Sequence, residues 1–408
     1  MRSRNKIMIP IILSLLLFFN ACITSSPSNS TSTTNVNNIV ESATEFQLIQ
    51  QAWNLTQQYY VDKNATQPQR LAYDTIAGMI DSLGDTGHST FLTPDEVKQQ
   101  NDFTQGKLEG IGVEVQWKNN NVVIVAPIAS SPAQKAGLVS GDIILKVNGQ
   151  SITSVSDAVS RILGPAGTSV TLTIQSVSGA TRDVTIVRAT INLVSVTWYQ
   201  LPGTTVAHLR ISSFIKGTSS GLDNALTEMK AKGATAIIFD LRDNPGGLLD
   251  EAVSVASRFL NSGNVLLEKD ASGNITPVPV IHGATVTNLP VVVLINQGTA
   301  SAAEIVAGAL HDASRAELVG ETTFGTGTVL EQFTLSDGSA LLLAVQEWLT
   351  PAGKTIWHMG LTPDKVVPLP MSVTPLSPET EQGMTSAQLQ DSGDQQLLDA
   401  LNLISTQK

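Results

Sequence analysis

The stretch Asn296–Leu310, NQGTASAAEIVAGAL, follows directly on the apolar run LPVVVLI. A buried strand here runs into a turn of small residues, and Ser301 opens a helix. Its hydroxyl then sits at the positive end of a helix dipole. The unpaired N–H groups of the first helical turn, that of Ala302 included, are placed to cradle an oxyanion. The same residues have a plainer use, because Ser301 and Glu304 fit the Ser-x-x-Glu capping box. A second glycine-rich turn, Asn244-Pro245-Gly246-Gly247, ends the run TAIIFDLRD. Sites in open α/β sheets lie outside the carboxyl ends of strands, so both turns are expected at one crevice. Gly246 and Gly247 would add a second oxyanion donor, since no side chain blocks approach to their backbone.

A serine hydroxyl stays protonated at neutral pH and needs an adjacent base to act as a nucleophile. Histidine is the commonest such base, and the chain has five. His208 lies mid-strand in VAHLRIS and is expected to be packed or on a sheet face. His282 falls in the loop of VIHGAT. His311 sits near a helix C-terminus, where a cation is favoured in any case. His88 in GDTGHSTFL and His358 in TIWHMGLTPD lie in glycine-flanked turns. Glu347 in VQEWL is a carboxylate able to orient an imidazole, a surface position on a strand being the alternative. Lys354 follows a strand in a turn, and a solvated, charged lysine is a poor base.

The elements that must position these groups can be read from periodicity. From Ile191 to Pro370, apolar strands alternate with amphipathic helices, which implies parallel pairing with helices on the faces. Gly106–Arg188 reads differently: a hairpin in GIGVEVQWKNNNVVIVAPI, a short helix in SSPAQKAGL, a strand and Asn-Gly turn in GDIILKVNGQSI, an amphipathic helix opened by Ser154 or Ser156, and a closing hairpin. Glu41–Gln100 is helical, with Phe46, Ile49, Trp53, Leu55 and Tyr60 near one face, and Leu71, Thr75, Met79 and Leu83 on another. Both faces are expected to pack into a core. A helix capped by Thr93-Pro94 follows. SAQLQDSGDQQLLDALNLI gives one or two polar helices in a C-terminal tail.

The chain is long enough, at 408 residues, for two or three domains, and its net charge of −11 excludes nucleic acid as a partner. MRSRNK followed by IMIPIILSLLLFF reads as an export signal, too short for a spanning helix of roughly 20 apolar residues. Ala21 precedes Cys22, the single cysteine, which cannot form an internal disulfide. Ser/Thr/Asn-rich residues 23–38 read as a flexible tether. No metal or cofactor is implied.

Two resemblances sharpen this. GIGVEV and SPAQKAGLVSGDIILKVNGQSI resemble a PDZ domain, which implies that an extended peptide adds to a sheet edge. The Gly110-Ile111-Gly112 loop and Val113 would then receive the peptide's terminal carboxylate; a tight hairpin start is the plainer use of these glycines. FDLRDNPGGLLDEAV, VLINQGTASAAEIVAGALHD, AELVGETTFGTG, LTPAGKTI and GLTPD resemble the carboxyl-terminal processing peptidases, or tail-specific proteases, over roughly residues 41–370. That resemblance implies a serine protease taking C-terminal protein tails, with Ser301 as nucleophile and Ala302 and the Asn-Pro-Gly-Gly turn as oxyanion hole. One departure matters. The family's Ser–Lys dyad takes its lysine from TFGKG, where this chain has Thr326 in TFGTG. The family's supporting glutamine is Leu330 here. Two readings follow: a retired protease that binds peptides as a scaffold, or a protease with a substituted base. Tricorn-type relatives carry a histidine in a turn similar to TGHST, which makes His88 the first choice of base.

The expected architecture is α/β: a signal over 1–22, a linker over 23–40, a helical part over 41–104, an inserted PDZ domain over 105–190, a serine peptidase core with a parallel-type sheet over 191–370, and a tail over 371–408. Position after a lipoprotein-like signal predicts lipidation at Cys22 and a membrane-anchored protein outside the cytoplasm, with an uncleaved signal-anchor or simple cleavage as the alternatives. Oligomeric state is open.

Overall fold

Apolar runs rich in β-branched residues with no polar interruption, such as VVVLI and AIIF, suit strands of a sheet covered on both faces. In the computed structural model they form such strands. It describes residues 44–406, apart from 86–88, 119–120, 129–130, 140, 177, 284–285 and 371–372.

Helices α1 (Thr44–Tyr59) and α2 (Pro68–Asp81) lead to β1 (Thr90–Leu92) and α3 (Pro94–Thr104). Thr93 caps α3 through a full capping box with Glu96. The expected core packing of the first two helices is not seen. No residue of α1 is buried, and Ile80 alone is buried in α2. Phe46 and Leu55 are half-exposed and Met79 and Leu83 more so, because no element among the described residues covers that face.

Next come β2 (Lys107–Gly110), β3 (Val113–Lys118), β4 (Asn121–Pro127), α4 (Pro132–Lys135), β5 (Ile143–Val147), β6 (Gln150–Ser151), α5 (Val155–Ile162), β7 (Ser169–Gln175), β8 (Thr181–Val187) and β9 (Ala189–Asn192). Strands β3-β4-β5-β7-β8 form an antiparallel sheet around their own core, and β3 is an edge strand. Ser154 is the N-cap of α5. Asn148 and Gly149 take the positive φ their tight turn requires. Strands β2 and β9 pair as the two chain crossings into this unit.

The remaining chain carries β10 (Val196–Gln200), β11 (Val206–Ile211), α6 (Thr218–Ala231), β12 (Ala236–Asp240), α7 (Leu249–Ala256), β13 (Asn264–Lys269), β14 (Ile275–Pro279), β15 (Val291–Ile295), α8 (Ala302–Asp312), β16 (Ala316–Gly320), β17 (Thr328–Thr334), β18 (Ala340–Leu349), β19 (Lys365–Val366), α9 (Pro378–Glu381), α10 (Ser386–Gln390) and α11 (Gln395–Thr406). The main sheet runs β10-β11-β12-β15-β16-β19, parallel except for β10. Helices α6, α7 and α8 cover one face. The C-terminal segment covers the other: Leu397, Leu398, Leu401 and Ile404 of α11 pack on Ile238, Val292 and Leu294. This segment is a layer of the core, where its polar composition suggested a tail. A second sheet joins β1, β18, β13 and β14, with β17 on β18.

Candidate active site

Strands β12 and β15 are parallel neighbours with Asp240 opposite Leu294, so their carboxyl ends open side by side. The two turns that leave them are joined at four points. Ala300 N–H donates to Asn244 O (2.9 Å), and Thr299 Oγ1 to Leu241 O (2.8 Å). Asp243 N–H donates to Asn296 Oδ1 (2.8 Å), and Asn296 Nδ2 to Asp243 Oδ1 (2.9 Å). The crevice expected from the two glycine-rich turns is therefore one site.

Ser301 sits at the N-cap of α8 with φ 52° and ψ −121°, and is fully buried. An N-cap residue ordinarily takes the β region. A non-glycine residue in this conformation costs about 1–3 kcal/mol and persists only where its surroundings impose it. Three further left-handed positions adjoin it: Asp243 (φ 56°), Gly246 (φ 98°) and Gly247 (φ 136°). A Cβ on Gly247 would fall 2.2 Å from Phe214 O, so the turn admits only glycine there.

The N–H groups decide what this pocket offers. Gly246 N–H donates to Asn244 Oδ1 (2.8 Å), which corrects the expectation that Gly246 is an oxyanion donor. Its part is steric: it lets the backbone approach Ser301. Phe214 bonds the carbonyl of Gly246 and the N–H of Leu248, leaving the Gly247 N–H between them. Among the described residues, the N–H groups of Gly247 and Ala302 have no acceptor. Two open donors at a buried serine are what an oxyanion requires.

Glu304 completes the capping box, but not merely as a cap. Its carboxylate accepts from Ser301 N–H (2.9 Å), Gly325 N–H (2.8 Å), Thr326 N–H (3.0 Å) and the Thr323 hydroxyl. Burial pushes Glu304 up to about 7, against the pull of these donors. It thus fastens the TFGTG loop beneath the serine. The Ser-x-x-Glu spacing signalled a cap; that the carboxylate also gathers a distant loop was not visible in it.

Thr326 is buried, and its Oγ1 has no hydrogen-bond partner among the described residues. Leu330 packs in a small apolar cluster with Leu92 and Leu342. Lys354 is largely exposed, with Nζ 4.0 Å from Asp312 Oδ1. His88 lies outside the described residues. His208 is buried between two carboxylates, Nδ1 2.6 Å from Glu381 and Nε2 3.1 Å from Asp240. His282 is exposed, and His311 Nε2 lies 3.2 Å from Asp364 Oδ1. His358 has φ 60° and stacks on Trp357, and its N–H donates to Gly325 O (2.9 Å), so it borders the TFGTG loop. Glu347 does not orient an imidazole among the described residues. It pairs with Lys269 Nζ (2.9 Å) and accepts from Thr355 Oγ1 (2.6 Å). Partial burial raises its pKa, and these two partners outweigh that and hold it below the usual carboxylate range.

In the Gly110–Val113 loop, Ile111 O accepts from Ala133 N–H (2.8 Å), and Gly112 O from Ile128 N–H (3.0 Å) and Ser131 Oγ (2.9 Å). The N–H groups of Ile111 and Gly112 have no acceptor among the described residues. They stand at the start of β3, whose outer edge is unpaired.

Residues 205–367 match the family model of peptidase family S41, and residues 123–176 match a PDZ domain. The carboxy-terminal processing protease CtpA of Bacillus subtilis is 36% identical over 328 residues, 80% of this chain and 70% of that protein. The carboxy-terminal-processing protease of Bartonella bacilliformis is 38% identical over 311 residues, 74% and 71%. Among solved structures, the photosystem II D1 C-terminal processing protease superposes with a TM-score of 0.54 at 29% identity, covering 84% of this chain and 98% of that one. On the sheet, the two joined turns and these relatives, the chain belongs to the S41 family of serine-type carboxy-terminal processing peptidases.

Proposed function

We propose that this chain is an exported serine endopeptidase that cleaves unfolded or tail-tagged polypeptides, with Ser301 as nucleophile and His88 as its base. One observation carries the reading: Ser301 is held at positive φ beside two open N–H donors. A helix cap needs neither feature. His88 takes the hydroxyl proton as Oγ attacks the scissile carbonyl. The N–H groups of Gly247 and Ala302 receive the oxyanion. His88 then protonates the leaving amine, and water releases the acyl group. The PDZ unit holds the substrate's C-terminal carboxylate at the Ile111 and Gly112 N–H groups, with its chain added along β3.

Ser301→Ala should abolish cleavage of an unfolded protein, and His88→Ala should lower it by about 10²–10⁴-fold. Full activity in His88→Ala moves the role to His358, which borders the same loop. Wild type as inert as Ser301→Ala supports the second reading, a peptide-binding scaffold. That reading is favoured by the buried Thr326 and Leu330 in place of a lysine and a glutamine. Anchoring through Cys22, which lies outside the described residues, is tested by Cys22→Ser: the protein should leave the membrane fraction.

A further inference from the structure

Arg242 stands two residues before Asn244, at the root of the turn that presents Gly247. It is fully buried, and its guanidinium is held from two sides. From the end of β12, Asp240 accepts from Nε (3.0 Å) and Nη2 (2.7 Å). From the C-terminal segment, Asp394 accepts from Nη1 at both oxygens (2.9 and 3.0 Å), Gln396 Oε1 accepts at 3.2 Å, and Leu376 O accepts from Nη2 (3.2 Å). Asp394 is itself fixed: it accepts from Leu376 N–H (2.8 Å) and, at the start of α11, from Leu397 N–H (3.1 Å). The Asp240 pair is bidentate, Nε to Oδ1 and Nη2 to Oδ2, and Asp394 holds Nη1 from the other side, so the direction of the guanidinium is defined as well as its distance.

We infer that Asp394 is a positioning residue for the oxyanion turn, acting through Arg242. The turn beyond Arg242 begins with Asp243 at positive φ, a conformation that a non-glycine residue keeps only under outside restraint, and continues through Gly246 and Gly247, whose freedom leaves the turn's shape to its surroundings. Asn296 restrains it from the serine side, and Asp394 from the opposite face of the sheet. The C-terminal segment is thus part of the apparatus that aims the Gly247 N–H. This inference rests on the proposed proteolytic role of Ser301.

Asp394→Asn tests this in the folded protein: it keeps an oxygen for the helix cap at Leu397, removes the charge, and turns an NH₂ toward Arg242 Nη1 and Leu376 N–H. At a temperature where the variant is fully folded, kcat should fall by about 100-fold with KM unchanged. Affinity for a peptidyl boronate, whose tetrahedral adduct fills the oxyanion position, should fall in parallel. Amide exchange of residues 244–248 should quicken. Asp394→Glu should recover part of the loss. Wild-type kcat, boronate affinity and exchange in folded Asp394→Asn overturn the inference alone. A wild-type protein that neither cleaves nor binds boronate, in a Ser301-dependent way, overturns the proteolytic reading and this inference with it.

Discussion

A Cβ placed on Gly246 falls 2.6 Å from the Cβ of Ser301 and 2.8 Å from the Ala302 nitrogen. The two turns touch so closely that only hydrogen fits between them. Gly246→Ala therefore has to push the turns apart or shift α8, with backbone at φ 98° adding about 1–3 kcal/mol of strain. Urea unfolding should show a loss of that order. Cleavage should drop by about 100-fold or more, since a displacement of about 1 Å at the reacting atoms is enough for that. Full activity would mean the turns separate without consequence, and the joined-site description would be wrong.

How much of this was legible in the sequence depends on how local each signal is. The strands around AIIF and VVVLI, the Thr93 cap and the Asn148-Gly149 turn follow from runs and spacings within a dozen residues, and the meeting of two glycine-rich turns follows from the rule that sites lie outside the carboxyl ends of strands. The second sheet does not. Its strands β13, β14 and β17 are short and mixed in polarity, and they are strands because β18 pairs with β13 and β17, and β13 in turn with β14. The stripe on α1 has the pattern of a core face yet lies exposed, because periodicity reports a face and not what covers it. The pairing of Glu347 is not legible locally because its partner, Lys269, is distant in sequence. Arg242 gave no signal, since its partner Asp394 lies 152 residues on.

Glu304 gives the protein a pH dependence of stability. Its folded-state pKa, about 7, exceeds the ordinary 4.5 because burial disfavours the carboxylate. A carboxyl raised on folding contributes stability that is fully present below about 4.5 and is lost as pH rises through about 7. The contribution is on the order of 3 kcal/mol. Glu304→Gln cannot titrate and should flatten this slope between those pH values. It also turns an amide NH₂ toward two of the four donors, since each carboxylate oxygen accepts two, so it should be less stable at pH 7 by about 1–3 kcal/mol. Parallel denaturation curves for the two proteins across that window would remove Glu304 as the source.

The open N–H groups of Ile111 and Gly112 predict what the PDZ unit selects. A tail peptide ending in a free carboxylate makes charge-assisted bonds there that its C-terminal amide cannot. The amide should bind more weakly by about 1.5–3 kcal/mol, read by titration calorimetry on the full chain. Equal affinities would leave these glycines with only the task of starting a tight hairpin.

Thr326 supplies the sharpest test of whether the lysine route has been replaced. Its side chain is buried with Oγ1 unbonded among the described residues, while its N–H serves Glu304. A buried hydroxyl without a partner costs about 1–3 kcal/mol. Thr326→Val removes that cost, keeps the β-branched shape, and leaves the backbone bond to Glu304 in place. It should raise the unfolding midpoint by an amount of that order. Activity should be retained, because a hydroxyl has no basic form near neutral pH and takes no part as the base. If Thr326→Val is inert while folded and stabilised, the hydroxyl relays the Ser301 proton, and a histidine acting directly on Ser301 is the wrong assignment. If it is as active as wild type, the base lies elsewhere, and the comparison of His88→Ala with His358→Ala decides between the two histidines.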